Sequence, residues 1–255
     1  MTTRPRVEAV LLPVLTGLVF LSLWSAAVRL SGTTVFPSPR AVAAGLLELQ
    51  RRGVAFPYMR DSILRVAVGF LLAAAAGIPL GLFLGRSRAA FAVANPLIQV
   101  LRPISPLAWI PIAIVLFGIG NKAAVFLIVL GAFFPVLLST TSAAQSVPEI
   151  YLRAGRNFGL SPAALFLRVV LPAALPRILL GLRVGLGVAW LVVVAAEMIA
   201  IDSGLGYLII DSRNAGKRYD LVVAGILLIG TIGLTLDALI RRLETSPAMR
   251  WGFRQ

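Results

Sequence analysis

An all-α polytopic membrane protein with six crossings is the fold class this sequence predicts, and three observations carry the expectation. The 255 residues are 59% hydrophobic with a mean hydropathy of +0.94. Only 13% are charged, against about 25% in soluble domains. Apolar runs recur along the chain at close to the ~20 residues that a helix needs, at about 1.5 Å per residue, to cross a hydrocarbon core about 30 Å thick.

Composition also narrows function. There is no Cys and no His, which removes thiol chemistry and the commonest metal ligand and general base. The formal charge is +14 from 24 Lys and Arg, but these residues are scattered among the breaks between apolar runs. That distribution fits lipid headgroups and loop charge bias, and nucleic acid is not expected as a partner. The phosphate-cradling pattern G-x-x-x-x-G-K-[ST] is missing, so the chain is not expected to hydrolyse ATP or to act as an enzyme.

Taken in order, Arg4 and Arg6 precede a first span at residues 10–30, too long for the apolar core of a signal peptide and expected to be retained. Residues 31–61 form an external segment, where an FPSPR turn precedes a short amphipathic helix, AVAAGLLELQRR. The second span, 64–84, carries Gly69, Ala73, Gly77, Gly81 and Gly85 at four-residue spacing, a small-residue face that lets another helix approach closely. Gly85-Arg86-Ser87-Arg88 is a basic turn.

The third segment, 91–117, contains Pro96, Pro103, Pro106 and Pro111 along with Asn95, Gln99, Arg102 and Ser105. These cannot all sit in one smooth lipid-facing helix. Broken backbone at membrane depth is tolerated when it is buried in protein or lines a wet cavity. Part of a translocation path is therefore expected along Arg102, Ser105, Pro106, Trp109 and Pro111, and a kinked structural helix is the other reading. GIGNK is a tight outer turn, and 123–140 is the fourth span. The fifth, 174–201, has a small face at Gly181, Gly185 and Ala189, and its Trp190, Glu197 and Met198 are also placed on the path. Residues 203–220 are an external loop, 221–240 the sixth span, and Arg241, Arg242, Arg250 and Arg254 mark the tail. Three parts follow: 1–62 with the first span and external segment, a 63–243 core of five helices, and a 244–255 tail. Because ionisable groups in spans need partners, Arg183 is expected to pair with Asp237 as a structural ion pair, and Glu197 with Arg65.

Between the fourth and fifth spans lies the polar stretch 146–176, SVPEIYLRAGRNFGLSPAALFLRVVLPAALP. Ser146 followed by Glu149 reads as a capping box with Pro148 in the first turn. That helix runs through Leu152, Ala154 and Phe158 to Gly159, a residue able to close it in the left-handed conformation. Ser161-Pro162 opens a second helix that Pro172 and Pro176 limit. The product is a helical elbow.

The frame Arg153-Ala154-Gly155, Gly159, Val169, Leu171-Pro172 resembles the cytoplasmic loop of bacterial ABC importer permeases. That loop is patterned Glu-Ala-Ala, three residues, Gly, nine residues, Ile, one residue, Leu-Pro. Arg153 stands where the family usually has Glu, and Gly155 where it has the second Ala. RPISPLAWIPIAIVLFGIG, GLRVGLGVAW and AAEMIA are similar to the sulfonate, taurine and nitrate branch of that family.

The resemblance implies the transmembrane domain of a type I ABC importer in a bacterial cytoplasmic membrane, with both termini and the elbow inside. The elbow would be a coupling helix, with Glu149, Tyr151, Leu152, Arg153, Ala154, Gly155, Arg156, Phe158, Gly159, Leu160 and Ser161 meeting the ATPase. The implied partners are a second copy of the chain, two ATPase subunits that bind ATP and Mg, an extracytoplasmic binding protein, and lipid. The implied cargo is a small anion such as a sulfonate, taurine, nitrate or bicarbonate. A secondary carrier would need an internal repeat and a midplane acidic cluster, and a membrane scaffold or enzyme would work without an ATPase.

Overall fold

The computed structural model describes residues 6–32, 35–214 and 216–244. Arg4, Arg250 and Arg254 fall outside them. Eleven α-helices form among the described residues. Five are long and apolar enough to cross a membrane, and a sixth crossing is made if two helices bent by 81° count as one.

The first crossing, α1 (Arg6–Ser31), stands apart from the bundle, and its described side chains are almost all exposed. It is tied to the next segment where Trp24 Nε1 donates to the Pro37 carbonyl at 3.1 Å and the Trp24 ring lies tilted against Phe36, with centroids 5.9 Å apart. The amphipathic helix expected in the external segment is α2 (Pro39–Arg51). Ser38 caps it by accepting from the Ala41 N–H at 3.3 Å, with Pro39 at the position where a missing N–H costs nothing. Val42, Gly45 and Leu49 are buried, and Gly45 lies against the Asp220 backbone of the last helix. Arg218 donates to both Glu48 and Asp220 there, which holds the Glu48 carboxyl below the usual carboxylate range.

The second crossing, α3 (Ala55–Arg86), is longer than the predicted 64–84. It takes over the end of the external segment because Pro57 falls in its first turn, where no N–H is required. The third crossing is broken into α4 (Arg88–Leu101) and α5 (Ile110–Phe117), with a 3₁₀ turn at Pro106–Trp109 between them. Ser87 caps α4 by accepting from the Ala90 N–H. Gly118 and Gly120, with φ of 75° and 132°, make the tight turn into α6 (Asn121–Gln145).

α6 is the central rod. The small face of α3 lies on it in register: the Cβ that each glycine lacks would meet Ile128 at Gly69, Val136 at Gly77, Thr140 at Gly81 and Ala144 at Gly85. Those four partners are spaced eight, four and four residues apart, as the glycines are, so two matched stripes bring the backbones together without a hydrophobic driving force. α6 also meets Gly181 through Ser139 and Gly185 through Val136, whose two methyls reach Gly77 and Gly185.

After the elbow, the fifth crossing is longer than expected. Pro172 and Pro176 do not limit a short second helix. α8 (Pro162–Leu165), a π-turn over Phe166–Val170 and α9 (Leu171–Ala200) run on as one rod, Pro162–Ala200. The Leu171 N–H reaches back to the Phe166 carbonyl. This wider turn falls just ahead of Pro172, where a regular helix would have clashed with the proline ring. The predicted loop 203–220 is also mostly helical, as α10 (Leu205–Asn214), before the last crossing, α11 (Tyr219–Glu244).

Candidate functional site

The elbow, at the end of the bundle shared by the ends of α3 and α6 and the start of α9, is built around α7 (Glu149–Asn157). The capping box does not form. Ser146 closes α6, its N–H donating to Ser142 and its hydroxyl to the Ala143 carbonyl at 2.9 Å, so it is not available to α7. Pro148 occupies the N-cap position instead, with no side-chain cap.

The other end of α7 is closed firmly. Gly159 has φ +74°, its N–H donates to Arg156 at 2.9 Å, and the Leu160 N–H donates to Gly155 at 3.1 Å. This is a complete Schellman closure, which satisfies two carbonyls that helix ends otherwise leave open. Ser161 then caps the next helix by accepting from the Ala164 N–H.

One face of α7 is anchored. Leu152 is 1% exposed and packs with Leu165, Val170, Val147 and Leu82. Gly155 is buried beneath the Leu165 side chain, which occupies the place of a Cβ. The family's alanine at this position would meet that side chain. The opposite face is bare: Ile150 is 70%, Tyr151 53% and Phe158 87% exposed. Arg153 and Arg156 lie 3.8 and 3.7 Å from Glu149. The acid missing at position 153 is thus present one turn earlier, paired within α7 itself, and Ala154 lies on the same short helix.

The broken crossing borders a cavity of about 360 Å³ lined by Arg102, Ile104 and Pro106 from the break, by α6 from Leu130 and Gly131 to Ser139, and by Val184 and Val188 of α9. Ser105 caps the 3₁₀ turn, accepting from the Leu107 N–H. Trp109 packs into the main core and Pro111 opens α5, both away from this lining. Trp190 is buried and donates to the Ile229 carbonyl at 3.1 Å, with Gly233 leaving room for its ring. Together with Arg183–Asp237, bridged at 2.6 and 2.9 Å, it ties α9 to α11. Met198 lies exposed on α9.

Glu197 is enclosed at the end of the bundle opposite the elbow. Its carboxylate accepts from Arg65 at 2.7 Å, from the Ser62 hydroxyl at 2.9 Å and from the Gly206 N–H at 3.0 Å. Arg65 donates further to Asn121 Oδ1 at 2.7 Å and to Ser203. The Leu205 N–H donates to Ser62. Two N–H groups at the start of α10 therefore face this polar centre, and the positive end of the helix favours the carboxylate. Gly204 and Gly206 leave no Cβ in the space held by Glu197 and the Val194 carbonyl. Sequence reading found Arg65 and Glu197 but missed Ser62, Asn121, Ser203 and Gly206. Ser62, one turn before Arg65 on the same face of α3, was the signal present in the sequence.

Membrane-crossing rods, a break beside an open cavity and a rigid helical projection at one end are the parts of a transport subunit embedded in a bilayer. Residues 77–248 match the family described as binding-protein-dependent transport system inner membrane component, and the chain belongs to that family. It is 41% identical to a nitrate import permease of Leptolyngbya laminosa over 70% of this chain and 64% of the relative, so that alignment spans less than two thirds of the relative's length. It is 34% identical to a bicarbonate transport system permease of Synechococcus elongatus over 98% of this chain and 92% of that one. It is also 34% identical to the taurine transport system permease of Escherichia coli over 94% and 90%. In an inward-facing structure of the MetNI methionine ABC transporter, one chain shares the fold at a TM-score of 0.66 and 18% identity, covering 76% of this chain and 96% of that chain. The fold is the type I ABC importer transmembrane domain.

Proposed function

We propose that two copies of this chain form the membrane path of an ATP-driven importer for a small anion of the nitrate, bicarbonate or sulfonate kind. Each copy seats its elbow on a separate ATPase subunit, which binds ATP and Mg, and cargo arrives on an extracytoplasmic binding protein. The chain contributes no catalytic residue, metal or cofactor of its own. It sits in the cytoplasmic membrane of a bacterium, in contact with lipid, with both termini and the elbow inside. The relatives named for nitrate, bicarbonate and taurine support the choice of cargo class.

The observation that carries this reading is α7. A helix closed at its C-terminus and pinned through Leu152 and Gly155, yet exposing Ile150, Tyr151 and Phe158, has the form of a contact that transmits force. Loose contacts would absorb the motion of the partner, and a pinned helix passes it to α6 and α9. The test is co-purification with the ATPase encoded for this system. Gly159→Trp is expected to abolish the association while the purified chain still folds, its unfolding temperature lowered no more than by the backbone strain that Gly159→Ala also carries, and undiminished association would contradict the reading.

A further inference from the structure

The cavity at the broken crossing differs from the others in how its arginine is partnered. Three other cavities are lined by arginines, and each of those arginines faces a carboxylate: Arg65 faces Glu197, Arg183 faces Asp237, and Arg52 and Arg218 face Glu48. Although its backbone N–H donates to Ile98, the exposed side chain of Arg102 has no hydrogen-bond or ion-pair partner among the described residues. Neither does the hydroxyl of Ser139, which lines the same space. An arginine within an apolar segment is costly unless it is paired or wetted. This one is set on the break where the chain leaves α4, after up to about 21 Å of helix from the Ser87 turn.

The wall is mostly apolar, but polar groups interrupt it. Pro135, also in the lining, has no N–H to give the Gly131 carbonyl its regular helical bond, so α6 carries a backbone acceptor at this depth that the helix does not close in the usual way. Pro106 packs over Gly131 and fixes the break against α6. The volume of about 360 Å³ is many times the ~30 Å³ share of one water.

We propose that Arg102, with the Ser139 hydroxyl, is the contact for the oxyanion head of the cargo as it passes. The guanidinium is planar, always charged and able to donate two parallel bonds to nitrate, bicarbonate or a sulfonate, and its counter-charge is supplied in passing by the cargo. The assignment of cargo rests on the anion-importer reading above. The site itself can be tested separately.

Because the chain has no Cys, Ser139→Cys gives one reporter thiol per copy of the chain, read on the permease band of the assembled complex. It is treated with 2-sulfonatoethyl and 2-trimethylammonioethyl methanethiosulfonate, and each rate is normalised to that of a free thiol. Beside Arg102 the anionic reagent is expected to react roughly tenfold faster, as a local potential of a few kT requires. Arg102→Gln should erase the preference, Arg102→Lys should keep part of it, and added nitrate should slow the reaction. Ile104→Cys, on the break, gives the same readout if Ser139→Cys does not fold. No reaction, or the same ratio with and without the guanidinium, overturns the site. Uptake of nitrate, bicarbonate and taurine into proteoliposomes separates the two claims. Import without a labelling preference overturns the site alone, and a labelling preference without import of any of the three overturns the cargo assignment alone.

Discussion

At the end of the bundle opposite the elbow, Glu197 is 1% exposed and every partner it needs lies within the chain. At the elbow, α7 is equally well fixed on one face but leaves three large apolar side chains uncovered on the other. Burial of a charge with all its hydrogen bonds in place makes a rigid joint between α3, α9 and α10. Exposure of Ile150, Tyr151 and Phe158 leaves free energy to be gained on contact, since apolar area removed from water is worth roughly 25 cal/mol per Å². One end satisfies its polar groups within the chain, and the other leaves apolar area uncovered.

The largest loss is expected at the closed end. Arg65→Ala or Glu197→Ala strands a buried charge and is expected to cost about 3–5 kcal/mol, read as a lowered unfolding midpoint in detergent. Arg65→Gln with Glu197→Gln should be no worse than either single change, and an additive loss would show that the two side chains act independently.

Between the two ends, Gly81→Leu would drive a side chain into Thr140 and the Leu137 carbonyl. Overpacking of this kind costs about 1–3 kcal/mol, and the measurement is again thermal unfolding. At the elbow, Gly159 has open space around it but φ +74°. Gly159→Ala should therefore cost about 1 kcal/mol through backbone strain alone. It should weaken ATPase association more than it lowers the unfolding midpoint.

A smaller effect is expected from acid. The folded-state pKa of Glu48 is depressed by Arg218, so its contribution is fully present above the ordinary glutamate pKa of about 4.3. It is lost as pH falls through the lower folded value. Hydrogen exchange should show α2 loosening from α11 in that acid window and not near neutrality. Least of all, Glu149→Gln removes an exposed pair with Arg153 and Arg156, worth about 0.5 kcal/mol or less, and should leave unfolding almost unchanged.

The order of the crossings was legible because run length and the Pro-rich break at 91–117 are local facts. So was the closure of α7, since Gly159 and Ser161 act within a few residues. The Ser146–Glu149 box was misread because the same serine can end one helix or begin the next, and only the length of α6 decides which. Pro172 reads as a stop in sequence, yet the π-turn before it lets the rod continue. Helix α10 was missed for another reason: its first N–H groups are satisfied by Glu197 and by Ser62, the latter on a helix far away in sequence. The cavity beside Arg102 depends on three helices converging, which no local pattern records.

If a nucleotide-hydrolysing partner covers the bare face of α7 on the cytoplasmic side, a thiol placed on that face reports it. Phe158→Cys, unique in a chain without Cys, can be treated with a membrane-impermeant thiol reagent and a short bifunctional crosslinker. The account predicts labelling only in inside-out vesicles and a crosslink to the ATPase subunit in the co-expressed complex. Labelling from the outside of intact cells, or full reactivity with no crosslink when the ATPase is bound, would contradict it.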